Sequence, residues 1–334
     1  MAPNPPDGRA GIDAALVKRL IAAQFPQWSE LPVRPVEVDG WDNRTYRLGD
    51  AMTARLPTAA GYAPAVAKEN HWLPRLAPGL PVAVPPILAQ GEPGEGYAFP
   101  WSVRGWLDGE TAAHDRIDDM ARFAVSVAEF IVALQSCDAT GGPAAGAHSW
   151  WRGASPAHYD DETRRCLAAL ERRAERGAGT GGVETGGVDT GGVDTGGVDI
   201  GRATAVWDAA LAAEWRGAPV WFHGDIASGN LLVADGRLTA VIDFGTSGVG
   251  DPACDLVIAW GMFSGESREA FRQAVGQDDD TWARARGWSL WKTLLTLTEC
   301  IDTDPVQAAV CRRVIEAVLA DHDRFGVARG SRLS

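Results

Sequence analysis

The run from Asn230 to Asp243, NLLVADGRLTAVID, constrains the fold more than any other part of the chain. Leu231, Leu232 and Val233 precede Asp235-Gly236, and Leu238, Val241 and Ile242 follow it. Two short apolar runs around an Asp-Gly pair predict a β-hairpin, because its turn needs positive φ, which aspartate tolerates and glycine adopts freely. A hairpin returns its ends to one side, so Asn230 and Asp243 are expected to face the same ligand. Just upstream, HGDIASGN (223–230) sets Asp225 five residues before Asn230 in a turn with two glycines and a serine. Three oxygen-bearing side chains are therefore expected around one charged group.

The rest of the chain divides around this element. A first helix with Leu16, Leu20, Ile21 and Phe25 on one face leads into extended segments at Val36–Asp39, Thr45–Leu48 and Met52–Leu56. Asp42-Asn43 suits a turn between the first two. YAPAVAKENHWLPRLA reads as a helix, and Ile87–Gln90 and Tyr97–Val103 as further strands. From Asp118 onward the periodicity is helical: Met120–Leu134, Glu162–Glu175, Thr204–Trp215, Leu256–Met262, Trp282–Cys300 and Gln307–Arg324, with strands only around the hairpin and PVWFHGD. The expected fold class is α+β and bilobal. A small N-terminal antiparallel sheet lobe (1–104) joins a larger, mainly helical C-terminal lobe (110–334) through a hinge at 105–109. Residues 180–199 are four tandem pentapeptides, TGGVE and then TGGVD three times. They are too short in period and too poor in apolar residues for a solenoid, so they read as a flexible insertion over 177–201.

Composition narrows the functional classes. The net charge of −13 disfavours nucleic-acid binding, which needs a basic surface. Through Val103 the balance is nine bases to ten acids; from Arg104 it is 22 to 34. Such a skew would focus a cationic ligand on the second half. No segment reaches the roughly 18 unbroken apolar residues of a membrane span, and no signal-peptide pattern opens the chain, so a cytoplasmic location is expected. The five cysteines are widely spaced with no C-x-x-C pair, which reads as reduced, packed thiols rather than a zinc site.

Transfer of a phosphoryl group from a nucleotide needs parts that these motifs can supply. They are a carboxylate beside the acceptor hydroxyl, hard oxygen ligands for Mg²⁺, a cation for the phosphates and a backbone loop over them. The chain resembles the aminoglycoside phosphotransferase family of kinase-like enzymes in three ordered blocks: His223-Gly224-Asp225 with Asn230, then Ile242-Asp243, then Gly250-Asp251-Pro252 with Asp255-Leu256. The resemblance implies Asp225 as catalytic base, Asn230 and Asp243 as magnesium ligands, and His223, Asp251 and Asp255 as structural supports. VRGWLDGE looks like the family's lobe linker, which would set adenine against the backbone of Gly105 and Leu107. Glu69 matches the acidic partner of the phosphate-binding cation.

Two departures stand out. That cation, a lysine in the family, aligns with Arg55, which keeps the charge but differs in reach. A single glycine in GWDNRTYR replaces a glycine-rich loop, leaving the amides of Asn43 and Arg44 as candidates for covering the phosphates. ATP and GTP are both open as donors. The family implies an aminoglycoside acceptor first, which the acidic second half suits, and Glu299, Asp302 and Asp304 are the candidate contacts by position and charge. Macrolide, choline-like and homoserine-like alcohols, or a catalytically silent nucleotide-binding regulator, are the alternatives.

Overall fold

The structure, a computed structural model, describes residues 9–326 apart from 10, 38, 41 and 180–196. The first lobe opens with α1 (Ala14–Gln24), capped by the Asp13 carboxylate, which accepts the Leu16 N–H at 2.7 Å. Leu16, Val17, Leu20 and Ile21 form its buried stripe. This stripe packs against a five-stranded antiparallel sheet of β1 (Val33–Pro35), β2 (Asn43–Leu48), β3 (Met52–Pro57), β4 (Ile87–Gly91) and β5 (Trp101–Gly105), in the order β1-β2-β3-β5-β4. Between β3 and β4 runs α2 (Ala63–Leu76).

The first strand differs from the expected Val36–Asp39. It lies three residues earlier, where Val33 is buried opposite Leu48, and Pro35, which has no N–H to donate, closes the ladder. Val38 lies outside the described residues.

The second lobe begins with β6 (Glu110–Thr111) and continues through α3 (Met120–Gln135), α4 (Asp160–Gly179) and α5 (Ile200–Ala212). Next come β7 (Val220–Phe222), β8 (Leu231–Ala234), β9 (Arg237–Val241) and β10 (Gly248–Gly250). The chain ends in α6 (Ile258–Gly261), α7 (Gly265–Val275), α8 (Asp279–Cys300) and α9 (Pro305–Phe325). The hairpin β8–β9 forms as expected, with Asp235 at φ 49° and Gly236 at φ 71°.

The sequence pattern missed α7 because Phe271 and Val275 are its only large buried side chains, too thin a stripe to stand out. The helix expected at Leu256–Met262 is split into a 3₁₀ turn, Pro252–Val257, and the short α6.

Most of the pentapeptide insertion lies outside the described residues, but Val198 and Asp199 at its end have defined partners. Asp199 caps α5 by accepting the Arg202 N–H at 3.0 Å, and Val198 packs on the main core.

Two hydrophobic cores result. One joins α1 to the sheet. The other fills the second lobe and also takes in Leu73 and Leu76 of α2. That helix is thus seated on both lobes, and its polar residues reach the cleft between them.

Candidate active site

The loop after β7 is held from beneath. Asp255 is fully buried, and its two carboxylate oxygens accept the backbone N–H groups of His223 at 2.7 Å and Gly224 at 2.6 Å. Burial raises the pKa of Asp255, while the neighbouring His223 and these two N–H groups oppose the rise. Gly224 sits at φ +85°, and a Cβ there would meet the Thr246 carbonyl at 2.8 Å, so only glycine fits. The His223 ring bridges the loop to the hairpin: Nδ1 accepts the Asp225 N–H at 3.2 Å, and Nε2 lies 3.1 Å from the Ile242 carbonyl. Asp251 caps the following 3₁₀ turn and is clamped by Arg284 at 2.6 and 3.1 Å. His223, Asp251 and Asp255 all lie under the loop, in its framework.

Above this framework the three oxygen-bearing side chains converge. The Asn230 amide Nδ2 donates to both the backbone carbonyl and the Oδ2 of Asp225, each at 2.9 Å, which turns Asn230 Oδ1 to the other side. The Ile242 N–H donates to the Asn230 carbonyl at 2.9 Å, so the hairpin brings Asp243 beside Asn230. Asp243 itself adopts a left-handed backbone, φ 67° and ψ 68°, rare for a non-glycine residue and common at functional turns. Its carboxylate Oδ1 is 3.2 Å from Arg55 Nη2.

From the sheet side, Arg55 stands between Asp243 and Glu69, whose Oε1 is 3.8 Å away. Glu69 is more tightly bound by Arg104, in two parallel bonds of 2.9 and 2.7 Å. Burial would raise the Glu69 pKa, but the Arg104 charge and bonds, aided by Arg55 and Lys68, hold it at about 2. The resemblance pairs Glu69 with Arg55; the stronger partner, Arg104, is fully buried on β5, where arginines are usually exposed.

Three further residues escaped the sequence. Lys292, on α8, places Nζ 2.8 Å from Asp225 Oδ1. Burial pushes the Asp225 carboxyl up, but Lys292, with His223 and Arg152, outweighs it and leaves Asp225 below the usual aspartate value. Lys68, on α2, donates to the carbonyls of Gly245 and Ser247 at 2.7 and 2.8 Å, tying that helix to the loop after Asp243. Burial lowers its pKa to about 8 against the opposing pull of Glu69 and Asp243. Asp42 enters from the segment before β2, where burial, then the Asp243 charge, raises its carboxyl to about 6. No motif marks these three, and only the folded topology brings them to the cleft.

Some expected contacts do not form. Asn43 and Arg44 lie within β2, paired with Pro57 and Leu56, rather than in a turn. Arg44 also spends its charge on Asp39 at 2.9 Å. Thr58 pins Asp42, just before β2, by donating its N–H and hydroxyl to the Asp42 carbonyl. The Gly105 N–H is taken by the Pro86 carbonyl at 2.9 Å, and Leu107 follows, half-buried, on the connector between lobes.

The three candidate acceptor acids have separate surroundings. Asp302 pairs with Arg173 at 2.8 Å, Asp304 caps α9 through the Gln307 N–H at 2.9 Å, and Glu299 is exposed near the end of α8. Of the three, Asp304 serves as a helix cap and Asp302 ties the end of α8 to α4.

Among the described residues no three His, Cys, Asp or Glu side chains gather closely enough to hold a metal ion unaided. One carboxylate, Asp243, and one amide oxygen, Asn230, fit a magnesium ion that a nucleotide's phosphates would share, which is how this ion is usually held. No helix among the described residues is long and apolar enough to cross a membrane.

A two-lobed chain with a sheet, a connector and this loop-and-hairpin centre has the architecture of kinase-like phosphotransferases. Residues 33–288 match the phosphotransferase enzyme family, APH. The chain belongs to that family, and so is a phosphotransferase.

The solved structures agree on the fold. The GDP complex of wild-type aminoglycoside 2′-phosphotransferase-IIIa is 18% identical, with a TM-score of 0.63 over 93% of this chain and 99% of that one. A GDP and kanamycin complex of an aminoglycoside phosphotransferase gives 18%, 0.61, 91% and 98%. The macrolide 2′-phosphotransferase of Brachybacterium faecium, as apoenzyme, gives 22%, 0.54, 91% and 97%. No curated protein matches the chain.

Proposed function

We propose that this protein moves the γ-phosphoryl group of ATP or GTP to a hydroxyl of a small molecule. In this reading the acceptor oxygen bonds to phosphorus, the bond to the β-γ bridging oxygen breaks, and the hydroxyl proton passes to Asp225. The products are a phosphate monoester and a nucleoside diphosphate. A carboxylate held below its usual pKa is a weak base, so Asp225 orients the hydroxyl first and takes the proton late, as a loose transition state allows. Lys292 and Asn230 fix its two oxygens for that task.

Asp243 and Asn230 would hold magnesium, which when bound neutralises charge on the phosphate oxygens. Arg55, forked between Asp243 and Glu69, is then free to turn onto those oxygens. The lobes meet the nucleotide on either side of the connector at 105–109.

The observation that carries this reading is the grip of Asn230 on Asp225 beside the left-handed Asp243. The nucleotide-complexed relatives support a nucleotide donor. The test is a mass-spectrometric search for phosphoryl gain across hydroxyl acceptors, with nucleotide titrations in magnesium. Asp243→Ala is expected to weaken magnesium-dependent nucleotide binding by about 10–100-fold. Unchanged affinity would remove Asp243 from the ion site.

A further inference from the structure

A cavity of about 490 Å³ opens beside the Asp225 loop, between that loop, the start of α6, and the facing sides of α8 and α9. It borders the reacting centre: Ile226 to Ser228 form one wall and Lys292, which holds Asp225 at 2.8 Å, forms another, while Asp225 itself stands just behind that lining. Its chemistry is unlike that of the chain as a whole. Of 334 residues 44 are Asp or Glu, yet none of the nineteen lining residues is acidic, while Lys292, Arg313 and His114 are basic. Arg313 and His114 are exposed at the rim, and neither has a hydrogen-bond or ion-pair partner among the described residues. Met262, Val310 and Val314 supply an apolar wall, with Val310 left 38% exposed.

From this lining we infer that the acceptor is an anionic alcohol with an apolar body, and not a polycation. The inference rests on the proposed hydroxyl phosphorylation and names the class of molecule that site takes. The hydroxyl lies toward Asp225, the apolar body covers Met262, Val310 and Val314, and the anionic group meets Arg313 and His114. Charge-assisted bonds to an arginine are about twice as strong as neutral ones, so Arg313, with the His114 ring as a further hydrogen-bond donor, favours a carboxylate or phosphate. A polyamine would instead face a basic rim with no carboxylate to neutralise it, a mismatch that costs affinity whatever attraction the acidic surface supplies at a distance. The transfer itself is unchanged: the acceptor's hydroxyl oxygen takes the phosphoryl group, Asp225 takes the proton, and the nucleoside diphosphate leaves.

The experiment compares three probes on the full-length protein with ATP or GTP and magnesium: ω-hydroxyoctanoate, ω-amino-octanol of the same chain length, and kanamycin. The expected result is a kcat/KM for the hydroxy acid at least about tenfold above that for the amino alcohol, with kanamycin poorest. Arg313→Glu should cut that ratio by about tenfold or invert it, without altering magnesium-dependent nucleotide affinity. Preference for the amino alcohol or kanamycin, turnover of none of the three, or a ratio untouched by Arg313→Glu overturns the inference. The broader reading is judged separately, by nucleotide titration and by whether Asp225→Asn abolishes transfer to any acceptor the wild type uses.

Discussion

The two sides of the cleft are built in opposite ways. On the side proposed for the nucleotide, Asp225, Asn230 and Asp243 stand on short loops locked from below. Asp255 grips two backbone amides, His223 joins the loop to the hairpin, and Asn230 grips Asp225. On the side proposed for the acceptor the groups come from the faces of α8 and α9 and from a turn after β6, and Arg313 and His114 are exposed. The chemistry of phosphoryl transfer tolerates little misplacement, and the buried scaffold fixes it. Recognition of the acceptor needs only suitable charge and apolar area, which loosely held helix faces can supply and readily vary.

This contrast breaks most sharply at Asp225. Asp225→Asn keeps the shape and the bond to Asn230 within reach but removes the base. It is expected to lower kcat by about 10²–10⁴-fold in single-turnover transfer while nucleotide affinity stays within about twofold. A kcat retained within tenfold would place the essential group elsewhere. One step down in size, Asp255→Ala leaves the buried N–H groups of His223 and Gly224 without partners. The expected loss is about 2–4 kcal/mol in urea unfolding, with activity falling in parallel. If stability held while activity fell, Asp255 would belong to the chemistry and not to the scaffold.

The same contrast explains what could be read from the chain alone. Asp225, Asn230 and Asp243 were legible because a loop and a hairpin fix their meeting within twenty residues, and the Asp235-Gly236 turn announces the hairpin. The partnership of Glu69 with the cations was half legible: α2 and β3 pointed to Arg55, but the stronger ligand, Arg104, is set by which neighbour β3 chooses in the sheet. Lys292 was not legible at all. It lies 67 residues from Asp225, on a helix whose orientation depends on the packing of the whole second lobe. Asn43 and Arg44 differ from the expected turn for a local reason, since β2 starts two residues before its apolar pattern, at Asn43.

Between the two sides lies the Glu69 web, where pH gives a graded test. With a native pKa near 2 against an ordinary value of 4.5, Glu69 binds its proton more weakly folded than unfolded. Its contribution to stability is therefore complete above pH 4.5 and is lost as pH falls toward 2. Urea midpoints measured between pH 5 and 3 should fall more steeply for the wild type than for Glu69→Gln, by a difference on the order of 1–3 kcal/mol over the full titration. Parallel slopes would mean that the Arg104 bonds do not favour the ionised form.

The smallest effect is expected at Glu299. An acidic acceptor site at the end of α8 would make this residue, the one carboxylate of its trio without a capping or ion-pair role in the structure, a strong contributor to binding a polyamine. The cavity beside Asp225 does not include it. Lys292 and Glu299 are seven residues apart on one helix, a rise of about 10 Å, so a molecule seated at Lys292 and Arg313 need not reach it. Glu299→Gln is accordingly expected to leave KM for any turned-over acceptor within about twofold, as a surface substitution commonly does. A tenfold rise in KM for a cationic acceptor would return recognition to the acidic helix end, and would make the basic cavity the bystander.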